Sequence, residues 1–315
     1  MGADVETVVV QTISADLVSC VSRDDWLAKR TQGIGASEAA GVCGASRYRD
    51  STPLAIWARK RGLAPPVQET MKMRFGTMAE PFVVAEYVRQ TGRTIGVPAP
   101  FSLYRSKVRP WQLATPDRFV HDPVKGWGVM EIKTTGERNA AEWSEGAPRE
   151  YLIQVAHQLA VLGLSWTSLC VLIGNASDLR WIDLDRDEKL EGEIVKLEEA
   201  FMASLASGEE PKALGADNPV LALLHPKELE KGLTVALPPE FADLDGRRIE
   251  VEATIEKATD EKADIDARIK QAIGENHRGV LPNGVSYSWT EQERKAYPVA
   301  PSKSRVLRRH DAARK

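Results

Sequence analysis

Three stretches of this chain hold residue types that can do chemistry together. They are Thr115-Pro116-Asp117, Glu131-Ile132-Lys133, and a helix-like segment carrying Tyr151, Gln154 and Gln158. Side chains alternate across a strand, so Val129, Glu131 and Lys133 share one face while Met130 and Ile132 take the other. A carboxylate and an ammonium therefore stand side by side on a sheet whose reverse is apolar. Asp117 lies fourteen residues before Glu131. That length suits an antiparallel hairpin turning through 122–126 and bringing the two carboxylates together. Two converging carboxylates fit a hard divalent cation such as Mg²⁺, which prefers oxygen ligands. Such a cation neutralises charge growing on a scissile phosphate, and Lys133 beside it would hold the attacking water or a phosphate oxygen. Plainer readings exist: Thr-Pro-Asp is a common turn, and Glu-x-Lys on a strand can be a solvated charge pair.

The elements that must position these residues follow from periodicity and punctuation. Residues 26–40 read as helical at both ends around a glycine-bearing turn at 32–35. A helix is predicted over 53–61 with Gly62 as its stop, and another from Thr77 to Gln90. Strands are predicted at 99–104, 112–121 and 128–134, then a helix over 149–162 closed by Gly163. Strands at 168–173 and 178–184 complete the core, the first nearly all apolar and so central. On the 149–162 helix, Tyr151, Gln154 and Gln158 share one face, and Leu152, Val155, Leu159 and Leu162 build the buried one. This order describes an α/β sandwich with a mixed sheet flanked by helices.

Beyond residue 185 the character changes. An acidic helix is predicted over 188–207, followed by a Pro- and Gly-bearing stretch over 208–239. A charged amphipathic helix over about 243–273 comes next, with Ile255, Ala258, Ile265, Ile269 and Ala272 at steps of three and four or their sums. Asn283-Gly284 signals a hairpin. The reading is an N-terminal extension at 1–22, with a β-branched run that suits an edge strand. A catalytic domain follows at 23–207, and a helical and hairpin arm at 208–315 packs on that domain or on a neighbour.

Composition narrows the class. No run of eighteen apolar residues exists and the start lacks a basic-then-apolar leader, so a cytoplasmic protein without a membrane span is expected. Three scattered cysteines without CxxC spacing argue against a disulfide framework, a structural zinc site or an iron–sulfur cluster. The net charge of −3 hides segregation. Residues 23–61 hold eight Lys/Arg against four acids, 294–315 eight against one, and 187–231 eleven acids against five bases. That pattern suits basic patches for phosphate, and equally the solvated faces of a mixed surface.

Five motifs stand in a fixed order: Ile34-Gly35-Ala36-Ser37-Glu38-Ala39-Ala40, Phe75-Gly76-Thr77-Met78-Ala79-Glu80-Pro81, Thr115-Pro116-Asp117, Glu131-Ile132-Lys133, and the run from Gln154 through His157-Gln158 to Val161. Together they resemble the YqaJ-type viral recombinases, the family of the phage lambda exonuclease within the PD-(D/E)XK nucleases, over roughly residues 22–185. The resemblance implies a PD-(D/E)XK fold and a Mg²⁺-dependent exonuclease, with two ions and Mn²⁺ as a substitute. That enzyme would digest linear double-stranded DNA 5′→3′ and leave a 3′ strand for an annealing protein. It implies a homo-oligomer, of which a ring-shaped trimer is the relative's form.

By resemblance Asp117, Glu131 and the Ile132 carbonyl are metal ligands, and Lys133 is the catalytic lysine. Glu80 supports the metal site, Gln154 closes it, and Arg30 and Ser37 grip a 5′-phosphate. A capping box at Thr77 is a competing reading of Glu80, and an N-cap is one for Ser37. Many family members carry a second glutamine where Ala156 stands, which leaves His157 or Gln158 to compensate. His157 otherwise reads as a surface residue, and Trp26, Trp57 and Trp143 as packing residues. A site-specific endonuclease and a non-catalytic DNA-end-binding protein are the alternatives.

Overall fold

The computed structural model describes residues 12–227 and 234–293. The chain divides into two units, Met1–Pro226 and Lys227–Lys315. The run at 8–10 and the basic stretch at 294–315 lie outside the described residues. In chain order the first unit holds β1 (Ala15–Val18), α1 (Arg23–Arg30), β2 (Ile34–Gly35), α2 (Ala36–Val42), α3 (Pro53–Lys60), α4 (Met71–Thr91), β3 (Thr94–Gly96), β4 (Leu103–Ser106), β5 (Gln112–Ala114), β6 (Arg118–Asp122) and β7 (Gly126–Thr135). A 3-10 turn (Glu137–Trp143) leads to α5 (Arg149–Leu162), β8 (Trp166–Ile173), β9 (Asp178–Asp185), α6 (Glu188–Ser207) and α7 (Asn218–Leu224).

The main sheet has the order β3-β6-β7-β8-β9. Only β7 and β8 run parallel, and every other neighbouring pair in it is antiparallel. A parallel pair needs a crossover, which α5 supplies between the two strands. The alternation along β7 decides what covers each face. Val129 packs against Leu159 and Leu162 of α5, while Met130 and Ile132 pack against Ala79, Val83 and Tyr87 of α4. The sheet is thus sandwiched between α4 and α5, and β8, buried along its whole length, is an interior strand. Gly163 ends α5 at φ +71°, a conformation that favours glycine, and its N–H bonds back to the Leu159 carbonyl at 2.8 Å. A smaller sheet, β1-β4-β5-β2, lies in the same unit.

Four expectations need correction. The helix expected from Thr77 begins six residues earlier, at Met71, with Thr70 capping it by accepting from the Met73 N–H at 3.2 Å. Its first turns expose Met71, Met73 and Phe75, which is why no amphipathic signal marks them. The strand expected at 99–104 forms only from Leu103, because Pro98 and Pro100 cannot donate to a ladder and Phe101 sits at φ +62°. The strand expected at 112–121 is two strands, β5 in the smaller sheet and β6 in the main one, broken at Thr115-Pro116-Asp117. The fourth is α7, within a stretch read as loop. Val220, Leu221 and Leu224 of α7 pack on a cluster holding Trp57 and Phe201. No helix among the described residues is long and apolar enough to cross a membrane.

The second unit, taken by itself, consists of α8 (Phe241–Ile273) and an antiparallel ribbon of β10 (Arg278–Val280) and β11 (Ser286–Ser288), paired with Arg278 opposite Ser288. Its turn carries Asn283-Gly284, as the hairpin signal predicts, and the Asn283 side chain accepts from the Val285 N–H at 3.1 Å.

Candidate active site

The break between β5 and β6 leaves Asp117 at a corner. The β6–β7 ladder ends with Arg118 opposite Met130, so Asp117 sits one step past it, beside Glu131 and Ile132. Its Oδ2 accepts from the Ile132 N–H at 2.8 Å, which fixes the carboxylate against the strand. Glu131 is 2% exposed and accepts three side-chain donors. Lys133 Nζ lies 2.5 Å and Gln154 Nε2 2.6 Å from Oε1, and Gln158 Nε2 lies 2.7 Å from Oε2. A buried carboxylate is tolerated only when so compensated. The glutamines reach it because they stand one helical turn apart on the α5 face that covers this part of β7.

Burial and then the charge of Glu131 push the Asp117 carboxyl well above the usual carboxylate range, against the pull of Lys133 and the Ile132 N–H. For Lys133, burial favours the neutral amine, but Glu131 and Asp117 outweigh it and the ammonium is held above its ordinary range. Two carboxylates crowded beyond what one lysine neutralises form a local excess of negative charge that a cation relieves.

The donor set fits a hard cation. Asp117 and Glu131 offer oxygens. The Ile132 carbonyl projects to the same side of β7 as its N–H, past the end of the β6 ladder. Among the described residues no three His, Cys, Asp or Glu side chains converge as a ready cage. A divalent ion here would be held by two carboxylates, that carbonyl and solvent or substrate oxygens, the habit of Mg²⁺.

Glu80 stands on α4 with Arg118 Nη1 3.1 Å away, and Arg118 also donates to the Asp117 carbonyl. Burial raises the Glu80 carboxyl, Arg118 opposes this, and Glu131 is close enough to add to the rise. The capping-box reading of Glu80 fails, since Thr77 is mid-helix and its hydroxyl bonds the Met73 carbonyl at 3.4 Å. Arg30 and Ser37 are brought together, with Nη2 3.0 Å from Oγ, and the guanidinium lies 4.4 Å over the Trp26 ring. The N-cap of α2 is Gly35 rather than Ser37, whose hydroxyl is exposed and turned to Arg30. The loop between them is tight: a Cβ on Gly33 would come within 2.2 Å of the Trp111 carbonyl oxygen.

Two residues that support these groups, Lys60 and Tyr48, carry no signal in the sequence. Lys60, its side chain 5% exposed, donates to the Gly33 carbonyl at 2.6 Å and to Glu38 Oε2 at 2.8 Å. Glu38 in turn accepts from the Gly35 N–H at 3.0 Å, so Lys60 pins the loop that joins Arg30 to Ser37. Beside Lys133, the Tyr151 ring lies 5.1 Å from Nζ and stacks on Trp143, and the Tyr48 hydroxyl is 3.5 Å from that of Tyr151. Burial and then Tyr48 raise the Tyr151 phenol. Only folding places residue 48 against residue 151.

Gln158, not His157, supplies the second contact to Glu131. The expectation of a surface His157 is wrong: it is 1% exposed, with Nδ1 2.6 Å from Glu198 Oε1 and Nε2 3.1 Å from the Leu113 carbonyl. Gln112 Nε2 donates to the other Glu198 oxygen at 2.7 Å. This buried pair ties α5 to β5 and α6. Burial disfavours the imidazolium, but Glu198 more than offsets this and the pKa lies above its ordinary value. Trp57 and Trp143 are packing residues, as expected, and Trp26 supports Arg30.

A sheet carrying Asp, Glu and Lys at a strand-crossing corner, sandwiched by helices, is the PD-(D/E)XK type of α/β fold. A solved structure of the exonuclease LHK-Exo in complex with dAMP matches with TM-score 0.50 and 24% identity, covering 59% of this chain and 93% of that one. A second structure of it, described as an alkaline exonuclease from Laribacter hongkongensis, gives TM-score 0.49 and 23% identity over the same shares. Residues 25–165 match the model of the YqaJ-like viral recombinase domain. The chain is also 27% identical over 269 residues to the uncharacterized protein YqaJ of Bacillus subtilis (strain 168), covering 84% of this chain and 82% of the relative. The stretch that matches this family model lies within the first unit.

Proposed function

We propose that this protein is a Mg²⁺-dependent exonuclease that digests linear double-stranded DNA 5′→3′, exposing a 3′ strand for an annealing protein. The observation that carries this reading is the packing of Asp117, Glu131 and Lys133 at one corner, with two glutamines locking the glutamate. The structural likeness to the exonuclease LHK-Exo supports it further. Asp117, Glu131 and the Ile132 carbonyl would hold the metal. The bound ions, Mg²⁺ or Mn²⁺, supply positive charge against the charge developing at phosphorus.

The chain's own residues do the rest. Lys133 presents a fixed ammonium to a phosphate oxygen or to the attacking water. Gln154 and Gln158 keep Glu131 oriented. Arg30, braced by Trp26 and Ser37, offers a planar fork to a terminal 5′-phosphate. Water oxygen bonds to phosphorus, the P–O3′ bond breaks, a proton from water passes to solvent and another protonates the departing 3′ oxygen. A 5′-mononucleotide leaves, and the shortened strand bears a new 5′-phosphate for the same Arg30 site. The test is a gel of linear duplex labelled at either end, with and without Mg²⁺, beside a circular duplex. Mg²⁺-dependent loss of the 5′ label first, with the circle intact, is expected. Cutting of the circle indicates an endonuclease, and loss of the 3′ label first reverses the polarity.

A further inference from the structure

Among its described residues the second unit builds almost no core: Ile273 is the buried residue of α8. Yet this helix of 33 residues, about 50 Å long at 1.5 Å per residue, is not polar all round. From Phe241 onward, alternating steps of three and four trace one seam through five heptads. Its a positions are Phe241, Arg248, Ile255, Lys262 and Ile269. Its d positions are Leu244, Val251, Ala258, Ile265 and Ala272. Eight of these ten are apolar. Leu244, Ile255 and Ile265 are 55%, 60% and 48% exposed.

The period identifies the kind of partner. A repeat of 3.5 residues drifts about 20° per heptad on a straight helix, so five heptads stay covered only by a helix that supercoils with this one. A second copy of α8 has the matching length and period. Either orientation brings opposite and like charges together. With two copies parallel and in register, Arg247 at g faces Glu252 at e of the second copy. Glu261 meets Asp266 twice there, and at the a positions Arg248 meets Arg248 and Lys262 meets Lys262, with Glu252, Glu261 and Asp266 around these cations. With the copies antiparallel and fully overlapped, Arg247 meets Arg268 and Asp245 meets Asp266, each twice. Arg248 and Lys262 at a favour two strands, because each further strand would bring another cation into the seam. We propose that α8 is a dimerisation helix that pairs with α8 of a second copy in a two-stranded coiled coil.

Site-directed cross-linking of the full chain tests this, with Cys20 and Cys43 replaced by Ser and the buried Cys170 retained. Ala258→Cys, at d, should give a disulfide-linked pair on mild oxidation, at least tenfold faster than Ala253→Cys on the outer face. Adding Ile255→Asp and Ile265→Asp should abolish the linkage. These side chains are exposed within one chain, and circular dichroism checks that the fold persists. The first comparison needs neither acidic change. Equal linking at 258 and 253, no linking at 258, or linking that survives the acidic pair would overturn the proposal. The second of these results is what a seam covered by residues 294–315 of the same chain would give.

Discussion

Gln158→Ala isolates the least obvious member of the site. In the wild type Gln158 donates to Glu131 Oε2 at 2.7 Å, while Lys133 and Gln154 both serve Oε1. The substitution strips the described donor from one oxygen of a carboxylate that is 2% exposed and leaves the other oxygen served. A hydrogen bond to a charged group contributes about 1.5–3 kcal/mol. For a unit of this size each kcal/mol moves the melting temperature by about 2–4 °C, so the metal-free protein should melt roughly 3–12 °C lower. The consequence for function is larger in ratio than in energy, because residues that orient a metal ligand commonly change metal affinity about 10–100-fold. The Mg²⁺ concentration giving half-maximal release of nucleotides from linear duplex should therefore rise at least about tenfold, with the rate largely restored at saturating Mg²⁺. Gln158→Glu should be worse on both counts, since it sets a second carboxylate against the first. A variant with the wild-type Mg²⁺ midpoint and melting temperature would refute the role assigned to this glutamine.

Lys133→Ala removes a preorganised charge worth on the order of 3 kcal/mol in a transition state, so single-turnover hydrolysis should fall at least about a hundredfold while duplex affinity at low salt changes little. Arg30→Ala should slow digestion of a 5′-phosphorylated duplex and leave a 5′-hydroxyl duplex nearly unchanged; an equal effect on both ends would remove the phosphate contact. Lys60→Ala should reduce the same phosphate-to-hydroxyl rate ratio by loosening the loop between Arg30 and Ser37, with Lys60→Arg restoring part of it. The His157–Glu198 pair makes a signed pH prediction. Its raised imidazole pKa gives stability that is complete below the ordinary value of 6.5 and is lost as pH climbs through the higher folded value. The melting difference between wild type and His157→Gln should thus be largest near pH 6 and shrink toward alkaline pH; a pH-independent difference would contradict the charged pair.

The local rules read well from sequence wherever one element carries its own signal. Alternation places Glu131 and Lys133 on one face, and helical spacing places Gln154 and Gln158 on another. Gly163 ends α5 where expected. The hairpin through 122–126 also forms, with Asp122 opposite Gly126. What failed depends on partners distant in sequence. His157 reads as a polar helix residue until Glu198 and Leu113 arrive from other elements. Lys60 looks like an ordinary C-terminal helix cation, and its function as a strut exists only because the loop folds back to it. The start of α4 was invisible because its first turns bury almost nothing, and the split between β5 and β6 was hidden because both halves look like one strand. Pro116, the residue that breaks them, is also what leaves Asp117 at the corner.

The central claim is that Asp117 and Glu131 together hold the cation at which DNA is cut. The most direct measurement pairs two readouts on Asp117→Ala and Glu131→Ala: nucleotide release from a 5′-phosphorylated linear duplex in Mg²⁺, and duplex binding in Ca²⁺ at low salt, where looser coordination supports binding without turnover. Release should fall to background in both variants while binding persists through the remaining phosphate contacts. Cleavage by Glu131→Ala at the wild-type rate would contradict the account.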